Sequence, residues 1–117
     1  MNIFSAGIAA TALAASLLAS APATAATTYV TTLYSTDYGA KAVVYWHWEG
    51  AYRRTSGFQL YDRACDGKAA RLTFYRGAYT TVRSWGGCGT SHWFSEQINF
   101  NYMQLCNGVG TNCGPKI

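Results

Sequence analysis

The amino-acid sequence predicts an all-β fold, a small disulfide-stabilised β-sandwich or barrel of about six antiparallel strands. Three observations predict it. The chain contains nine Tyr and four Trp and is rich in Thr and Gly, whereas the Leu, Glu and Lys that helices favour are scarce. β-Branched and aromatic runs recur at intervals of about ten residues, with turn signals between them. The four cysteines are even in number, which is typical of a disulfide framework.

Residues 1–25 differ from the rest of the chain and predict a signal peptide. Every charged residue lies after Ala25. Ile8–Ala19 is an apolar run of signal-peptide length that is too short to span a membrane, and Ala23–Ala25 has the small-x-small pattern of a cleavage site. We therefore expect a secreted, extracellular protein in which residues 26–117 form a single β domain, because a chain of this length builds one core.

The first two strands are predicted at Thr27–Tyr34 and Ala40–Glu49, separated by the turn cluster Ser35–Gly39. Side chains alternate along a strand, so every second residue of Ala40–Glu49 shares a face. The face that we expect to be buried consists of Ala42, Val44, Trp46 and Trp48, and the opposite face carries Val43, Tyr45, His47 and Glu49.

The next two strands are predicted at Phe58–Cys65 and Lys68–Arg76. Before them, Gly50–Gly57 is interpreted as a polar connection because it contains a pair of arginines. Asp66-Gly67 lies between the two strands and predicts a two-residue hairpin turn. Apolar and polar residues alternate in the fourth strand, which predicts a buried face of Ala70, Leu72 and Phe74 and a solvated face of Arg71, Thr73 and Tyr75.

Two further strands complete the prediction. A glycine turn leads to the strand Ala78–Trp85, in which one side is shared by Tyr79, Thr81 and Arg83. Gly86–Gly89 is a loop, and Ser91–Gln97 is consistent either with turns or with a single helical turn. The last strand is predicted at Ile98–Asn107.

The cysteines Cys65, Cys88, Cys106 and Cys113 are expected to form two disulfides in an oxidising compartment. Of the possible pairings we favour Cys106–Cys113, because the residues between them form a flexible Gly- and Asn-rich loop, and Cys65–Cys88 follows by remainder. Closing the longer loop would stabilise the fold by roughly 3 kcal/mol through the unfolded chain. A zinc site is the alternative, but the spacings contain no C-x2-C pair, and we expect neither a metal nor a cofactor.

No residues converge on a catalytic motif in the sequence. Arg83, His92 and Glu96 offer an arginine, a base and an acid of the kind that secreted ribonucleases use, but any basic β domain of this size offers such a trio. We interpret His92 and Glu96 as surface residues near a loop and predict a protein that is not an enzyme. The net charge of +4 is modest and the basic residues are dispersed, so we expect no nucleic-acid partner.

Aromatic and arginine side chains on the strands are the candidate partner-binding residues, namely Tyr45, Arg71, Tyr75, Tyr79 and Arg83. Rings beside Arg on a rigid sheet form a surface suited to a protein partner. The alternative is that several of these rings complete the small core. The leading hypothesis is a non-enzymatic protein–protein interaction module. Its rivals are a carbohydrate or cell-wall binding domain that uses stacked aromatics and a hydrolase inhibitor that presents Gly86–Ser91.

Three cysteine-centred segments carry a family resemblance. Leu60–Gly67, Tyr102–Asn107 and Thr111–Cys113, together with the leader, resemble small secreted four-cysteine β proteins of actinomycetes. Some of those proteins are similar to the small linking subunit of umbrella toxin particles, antibacterial assemblies in which it joins a large repeat-bearing toxin to a lectin-like protein. The resemblance implies an adaptor of an antibacterial toxin complex with those two kinds of partner, and it carries over only the cysteines position by position. The two-disulfide plan is also similar to that of the small amylase inhibitors of streptomycetes, whose Trp-Arg-Tyr tip motif is missing here.

Overall fold

The computed structural model describes residues 26–117, and the predicted signal peptide lies outside the described residues. The described chain is all-β, as predicted, and its strands pack as two antiparallel sheets in a sandwich-like arrangement. The strands are β1 (Tyr29–Tyr34), β2 (Ala40–Glu49), β3 (Tyr52–Asp62), β4 (Ala70–Arg76), β5 (Tyr79–Trp85), β6 (Thr90–Phe94), β7 (Asn99–Phe100) and β8 (Tyr102–Asn107). No helix between residues 26 and 117 is long and apolar enough to cross a membrane.

The chain passes between the two sheets three times. The larger sheet has the order β1-β2-β3-β6, and the short β7 pairs with the N-terminal half of β3. The smaller sheet has the order β5-β4-β8. The chain crosses between the sheets after β3, after β5 and between β7 and β8. These crossings hold the two sheets face to face.

β3 begins earlier than the sequence predicts, because Gly50–Gly57 is mostly strand and not a polar connection. Gly50, with a φ of 63°, forms part of the tight turn from β2 into β3. Arg53 tolerates its strand position because its guanidinium lies 5.2 Å from the ring centre of Trp46 and donates a hydrogen bond to the carbonyl oxygen of Ile117 at 2.8 Å. An aromatic ring and a backbone oxygen thus replace part of the water around a charge that we expected in a loop.

The predicted hairpin at Asp66-Gly67 is wrong, since β3 and β4 belong to different sheets. The dipeptide does form a turn, because Asp66 Oδ1 accepts a hydrogen bond from the backbone N–H of Lys68 and Gly67 has a φ of 72°. That turn lies within residues 63–69, which cross from the larger sheet to the smaller. Local turn chemistry is therefore present, but it does not decide which strands pair.

The strand prediction also changes in the last third of the chain. The segment Ser91–Gln97 contains no helical turn, and its first half belongs to β6, which pairs with β3. Ile98–Asn107 is not one strand, because Asn101 separates β7 on the larger sheet from β8 on the smaller. These two differences raise the strand count to eight.

The core lies between the inner faces of the two sheets. The larger sheet contributes Leu33, Ala42, Val44, Phe58 and Leu60, and the smaller sheet contributes Ala70, Leu72, Phe74, Met103 and Leu105. The prediction for the buried face of β4 is confirmed. The prediction for β2 is confirmed at three positions and wrong at Trp48, which is 55% exposed. Trp48 lies next to the β2–β3 turn and contacts Trp46 edge-on instead of entering the core.

Both predicted disulfides, Cys65–Cys88 and Cys106–Cys113, are present. All four cysteines are paired with one another, so the zinc alternative has no free thiolate. The first bridge joins the β3–β4 connection to the loop after β5, and the second ties the C-terminal tail to β8. The tail then runs beside β8, where the backbone of Ile117 pairs with that of Met103 through two hydrogen bonds of 3.0 Å. Two disulfides are typical of extracellular proteins.

Candidate functional site

The five predicted partner-binding residues lie on three separate surfaces. Tyr45 is on the outer face of the larger sheet, Arg71 and Tyr75 are on the outer face of the smaller sheet, and Tyr79 and Arg83 line a groove at its β5 edge. Strand register decides this placement, because residues opposite each other in an antiparallel pair share a face. The structure therefore brings these residues together as two pairs and one single residue.

Arg71 and Tyr75 stand on a face that the C-terminal tail partly covers. Tyr75 Oη donates a hydrogen bond to Gln104 Oε1 at 3.0 Å, and Gln104 Nε2 donates to the carbonyl oxygen of Gly114 at 2.9 Å. The ammonium of Lys116 lies 4.2 Å from the centre of the Tyr75 ring. Tyr75 is thus engaged by its own chain, and both predicted residues are half-buried.

Tyr79 and Arg83 line what we call the edge groove, a recess between β5 and the segment 96–99. Arg83 lies opposite the buried Leu72 of β4, so its side chain projects from the inner face of the sheet. Its guanidinium donates to the Glu96 carboxylate in three contacts of 2.7–3.0 Å. These hydrogen bonds raise the pKa of Arg83 and lower the pKa of Glu96. The pair ties the edge strand of the smaller sheet to the chain that leaves β6 on the larger one.

The trio of Arg83, His92 and Glu96 does not assemble as a base, an acid and a phosphate-holding arginine. His92 stacks on Trp85 with the ring centres 4.5 Å apart, whereas Glu96 is bound by Arg83. Because Arg83 holds the pKa of Glu96 below its ordinary value, this carboxyl group stays ionised at neutral pH and is a poor proton donor. The three side chains therefore do not surround one reacting position.

The outer face of the larger sheet carries a row of residues that we call the aromatic face, consisting of Val30, Tyr45, Gly57 and Trp93. Val30, Tyr45 and Gly57 are cross-strand neighbours on β1, β2 and β3. Trp93 reaches across from β6, and its indole lies so close over Gly57 that a Cβ atom there would collide with Trp93 Cζ2. The ring centres of Tyr45 and Trp93 are 5.7 Å apart in an edge-to-face arrangement.

The aromatic face is open to solvent. The exposed fractions are 57% for Val30, 36% for Tyr45 and 46% for Trp93. No segment of the described chain, residues 26–117, covers the row. Apolar side chains that contact one another and remain in water form a continuous patch, which differs from the scattered exposed apolar residues of an ordinary surface.

Two cations lie at one end of the larger sheet, along the strands from the aromatic face. Lys41 Nζ lies 5.0 Å from the ring centre of Tyr61, and the Arg63 guanidinium lies 5.6 Å from that of Tyr34. Among the outward positions of β1, β2, β3 and β6, the one carboxylate is that of Glu49, which lies as many residues from Tyr45 on one side as Lys41 does on the other. Cations therefore outnumber carboxylates on this face of the sheet.

Trp93 is not among the site residues that the sequence predicts. The sequence of Ser91–Gln97 is consistent with turns or with a single helical turn, and it does not predict a strand there. A signal was available in Gly57, since a glycine within a strand often marks a close approach by another group. This signal was not used, because Gly50–Gly57 was interpreted as a connection and Gly57 was therefore not placed in a strand. Placing Gly57 in a strand would have predicted a neighbour lying over the backbone.

A buried polar cluster was also missed. Asn107 is fully buried, and its Nδ2 donates to Asp37 Oδ2 at 2.9 Å and to Asp66 Oδ2 at 2.7 Å. Hydrogen bonds from Asn107, Ser35 and the backbone of Gly39 lower the pKa of Asp37 to about 2. The cluster joins β8 to the β1–β2 turn and to the β3–β4 connection, and these segments are too far apart in sequence to leave a local pattern.

Comparison with known proteins finds no matching family model, no matching curated protein and no matching solved structure.

Proposed function

We propose that this protein is a secreted, non-enzymatic protein–protein interaction module that binds its partner through the aromatic face. The observation that carries the proposal is the exposed row of Val30, Tyr45 and Trp93 on a rigid antiparallel sheet. Contiguous apolar surface in water is unfavourable, and such patches mark sites where proteins associate. Tyr and Trp are also among the residue types most enriched at binding hot spots.

The shape of the aromatic face favours a protein over a small molecule. Gly57 has no side chain, which lets the Trp93 indole lie over the backbone of β3 instead of standing away from it. The result is a flat surface on the outside of a sheet. Small-molecule sites are concave and enclose their ligand, whereas protein interfaces gain their free energy from broad, complementary contact.

Charge defines the partner further. Lys41 and Arg63 lie over the rings of Tyr61 and Tyr34, toward one end of the sheet that carries the aromatic face. We therefore propose a secreted protein partner whose binding surface is apolar at its centre and carries carboxylates at its rim. Opposite charges at the rim accelerate association and select among partners more than they add affinity.

We propose in addition that the module is an adaptor of an antibacterial toxin complex, with a large toxin subunit and a lectin-like protein as its partners. The resemblance of the cysteine-centred segments supports this role, and two disulfides suit an extracellular assembly.

Affinity purification from the producing culture tests the proposal. Tagged protein is added to the culture supernatant, and captured proteins are identified and quantified by mass spectrometry. The wild-type protein should retain a stoichiometric secreted partner. Trp93→Ala should weaken that association by about 2 kcal/mol or more, the loss expected at a hot spot.

Tyr102→Ala is the matched control, because Tyr102 is 57% exposed and lies on the outer face of the smaller sheet. It should capture the partner as wild type does. Equal capture by the Trp93 and Tyr102 variants would show that the aromatic face is not the binding surface. A wild-type protein that retains no secreted protein at all would contradict the interaction function itself.

A further inference from the structure

The edge groove is a second candidate binding site, and none of its lining residues belongs to the aromatic face. Its volume is about 370 Å³, which falls within the range of roughly 300–1,000 Å³ found for small-ligand sites. Phe74 and Ile98 are among its lining residues and are buried, so they form an apolar floor. The recess is therefore large enough for a small ligand and has an apolar floor.

One wall of the groove is an exposed aromatic ring. Tyr79 is 80% exposed and follows the turn glycine Gly77, whose φ is 55°. Because the face of an aromatic ring is electron-rich, it attracts the positively polarised C–H groups on the face of a sugar ring. Tyr79 contributes little to the core at this exposure, which leaves its ring available to a ligand.

The two arginines of the groove differ in what they already bind. Arg83 is occupied by Glu96 and by the carbonyl oxygen of Val82. The guanidinium of Arg76 stacks on the Tyr52 ring with 3.9 Å between its central carbon and the ring centre. Among residues 26–117, Arg76 has no carboxylate within ion-pair distance. The groove therefore holds one uncompensated positive charge, and stacking fixes the orientation of its donors.

Two amides supply further polar groups. Gln97 Oε1 accepts a hydrogen bond from Arg54 at 2.7 Å, so its Nε2 donors are left for other partners. Asn99 Oδ1 is buried and accepts no hydrogen bond from the described chain. Both residues line the groove. A buried acceptor without a donor is unfavourable, and a ligand hydroxyl group in the groove would satisfy it once the Asn99 side chain turned toward the groove.

From these features together we propose that the edge groove binds a sugar that carries a carboxylate, such as a uronic acid. Its ring stacks on Tyr79, its carboxylate is held by Arg76, and its hydroxyl groups bond to the amide of Gln97 and, after the Asn99 side chain turns toward the groove, to that of Asn99. A neutral sugar would leave Arg76 unused, whereas a small carboxylic acid without a sugar ring would leave Tyr79 unused. The combination of ring, cation and amides selects the charged sugar.

The probe for the test is trigalacturonate, measured by isothermal titration calorimetry and by shifts of amide resonances in NMR spectra. Fully methyl-esterified trigalacturonate has the same sugar rings without the negative charge. Wild-type protein should bind the acid at least about tenfold more tightly than the ester, since a hydrogen-bonded charge pair contributes at least that factor. Arg76→Gln should bind the two equally, and Tyr79→Ala should weaken binding of both.

Lys41→Gln is the matched control for Arg76, because it removes a cation from the outer face of the larger sheet and not from the groove. It should leave the preference for the acid unchanged. Equal binding of acid and ester by wild type, or an unchanged preference in Arg76→Gln, would overturn the proposal. Equally tight binding of an acidic peptide or of citrate would also overturn it, because the site would then recognise carboxylates and not sugars. Trp93→Ala tests the aromatic face alone and should leave trigalacturonate binding intact, so the two proposals fail separately.

Discussion

Replacing Thr55 by Val should destabilise the fold strongly, although the two side chains have nearly the same shape. Thr55 is fully buried, and its hydroxyl group donates to the carbonyl oxygen of Glu96 at 2.7 Å and accepts from the N–H of Ile98 at 2.8 Å. Valine leaves both backbone groups without this partner. A buried group without its hydrogen bond costs about 1–3 kcal/mol, so the free energy of unfolding should fall by about 2–4 kcal/mol.

Urea denaturation and thermal unfolding measure this loss. At about 4–8 °C per kcal/mol for a domain of this size, the Tm should fall by at least about 8 °C. Exchange of the Ile98 amide hydrogen should also accelerate, because its acceptor is gone. The Thr55 hydroxyl group holds the segment that carries Glu96, so the edge groove should lose trigalacturonate binding as the segment loosens.

Thr73→Val is the control for this change. Thr73 is half-buried in the middle of β4, and its hydroxyl group has no hydrogen-bond partner within residues 26–117. Its replacement should change the free energy of unfolding by less than about 0.5 kcal/mol. Equal midpoints for the two valine variants would refute the assignment of Thr55 as the anchor of the segment.

Three further predictions follow from the contacts. Gly57→Ala should displace the Trp93 indole, because a Cβ atom at this position collides with it. The displacement should shift tryptophan fluorescence and weaken partner capture. An unchanged emission spectrum and unchanged capture would contradict the close approach of Trp93 to Gly57. Phe58→Ala should lower the free energy of unfolding by about 3–5 kcal/mol in urea denaturation, since the ring is fully buried. Hydrogen bonds led by that from Asn107 lower the pKa of Asp37 from 3.8 to about 2, so its stabilising contribution should be complete above its unfolded pKa and be lost as the pH falls through about 2. Thermal unfolding between about pH 5 and about pH 2 should show a smaller acid-induced loss in Asp37→Asn than in wild type.

Much of the fold was predictable because its causes are local. Ala70, Leu72 and Phe74 alternate with polar residues, and this alternation alone predicts the buried face of β4. The short separation between Cys106 and Cys113 likewise predicts their pairing, because a flexible loop closes readily at that length.

Errors arose where a local signal had two structural solutions. Asp66-Gly67 forms a turn in either case, but the chain beyond it joins the other sheet instead of folding back. Asn101 interrupts an otherwise continuous strand pattern, and at this residue the chain passes from the larger sheet to the smaller one. Neither transfer leaves a mark in the alternation of nearby residues, since a strand has the same pattern in both sheets.

The candidate sites were less predictable than the fold. Arg83 and Tyr75 were assigned together from their strand positions, yet register places one at an edge groove and the other beneath the C-terminal tail. Trp93 belongs to the aromatic face only because β6 pairs with β3, which brings its indole over Gly57. Surface sites combine residues from several strands, so they depend on pairing across the whole chain.

Composition, alternation and cysteine spacing by themselves determined that the described chain is a disulfide-bonded all-β fold and which residues of β2 and β4 face inward, apart from Trp48. The order of the strands, the split between β7 and β8 and the residues that meet at the aromatic face and the edge groove were decided by tertiary structure alone. The physical reason is the range of the interactions. Side-chain alternation acts between neighbours in sequence, whereas strand pairing and the Asn107 cluster join residues that are distant in sequence and are selected by the packing of the whole core.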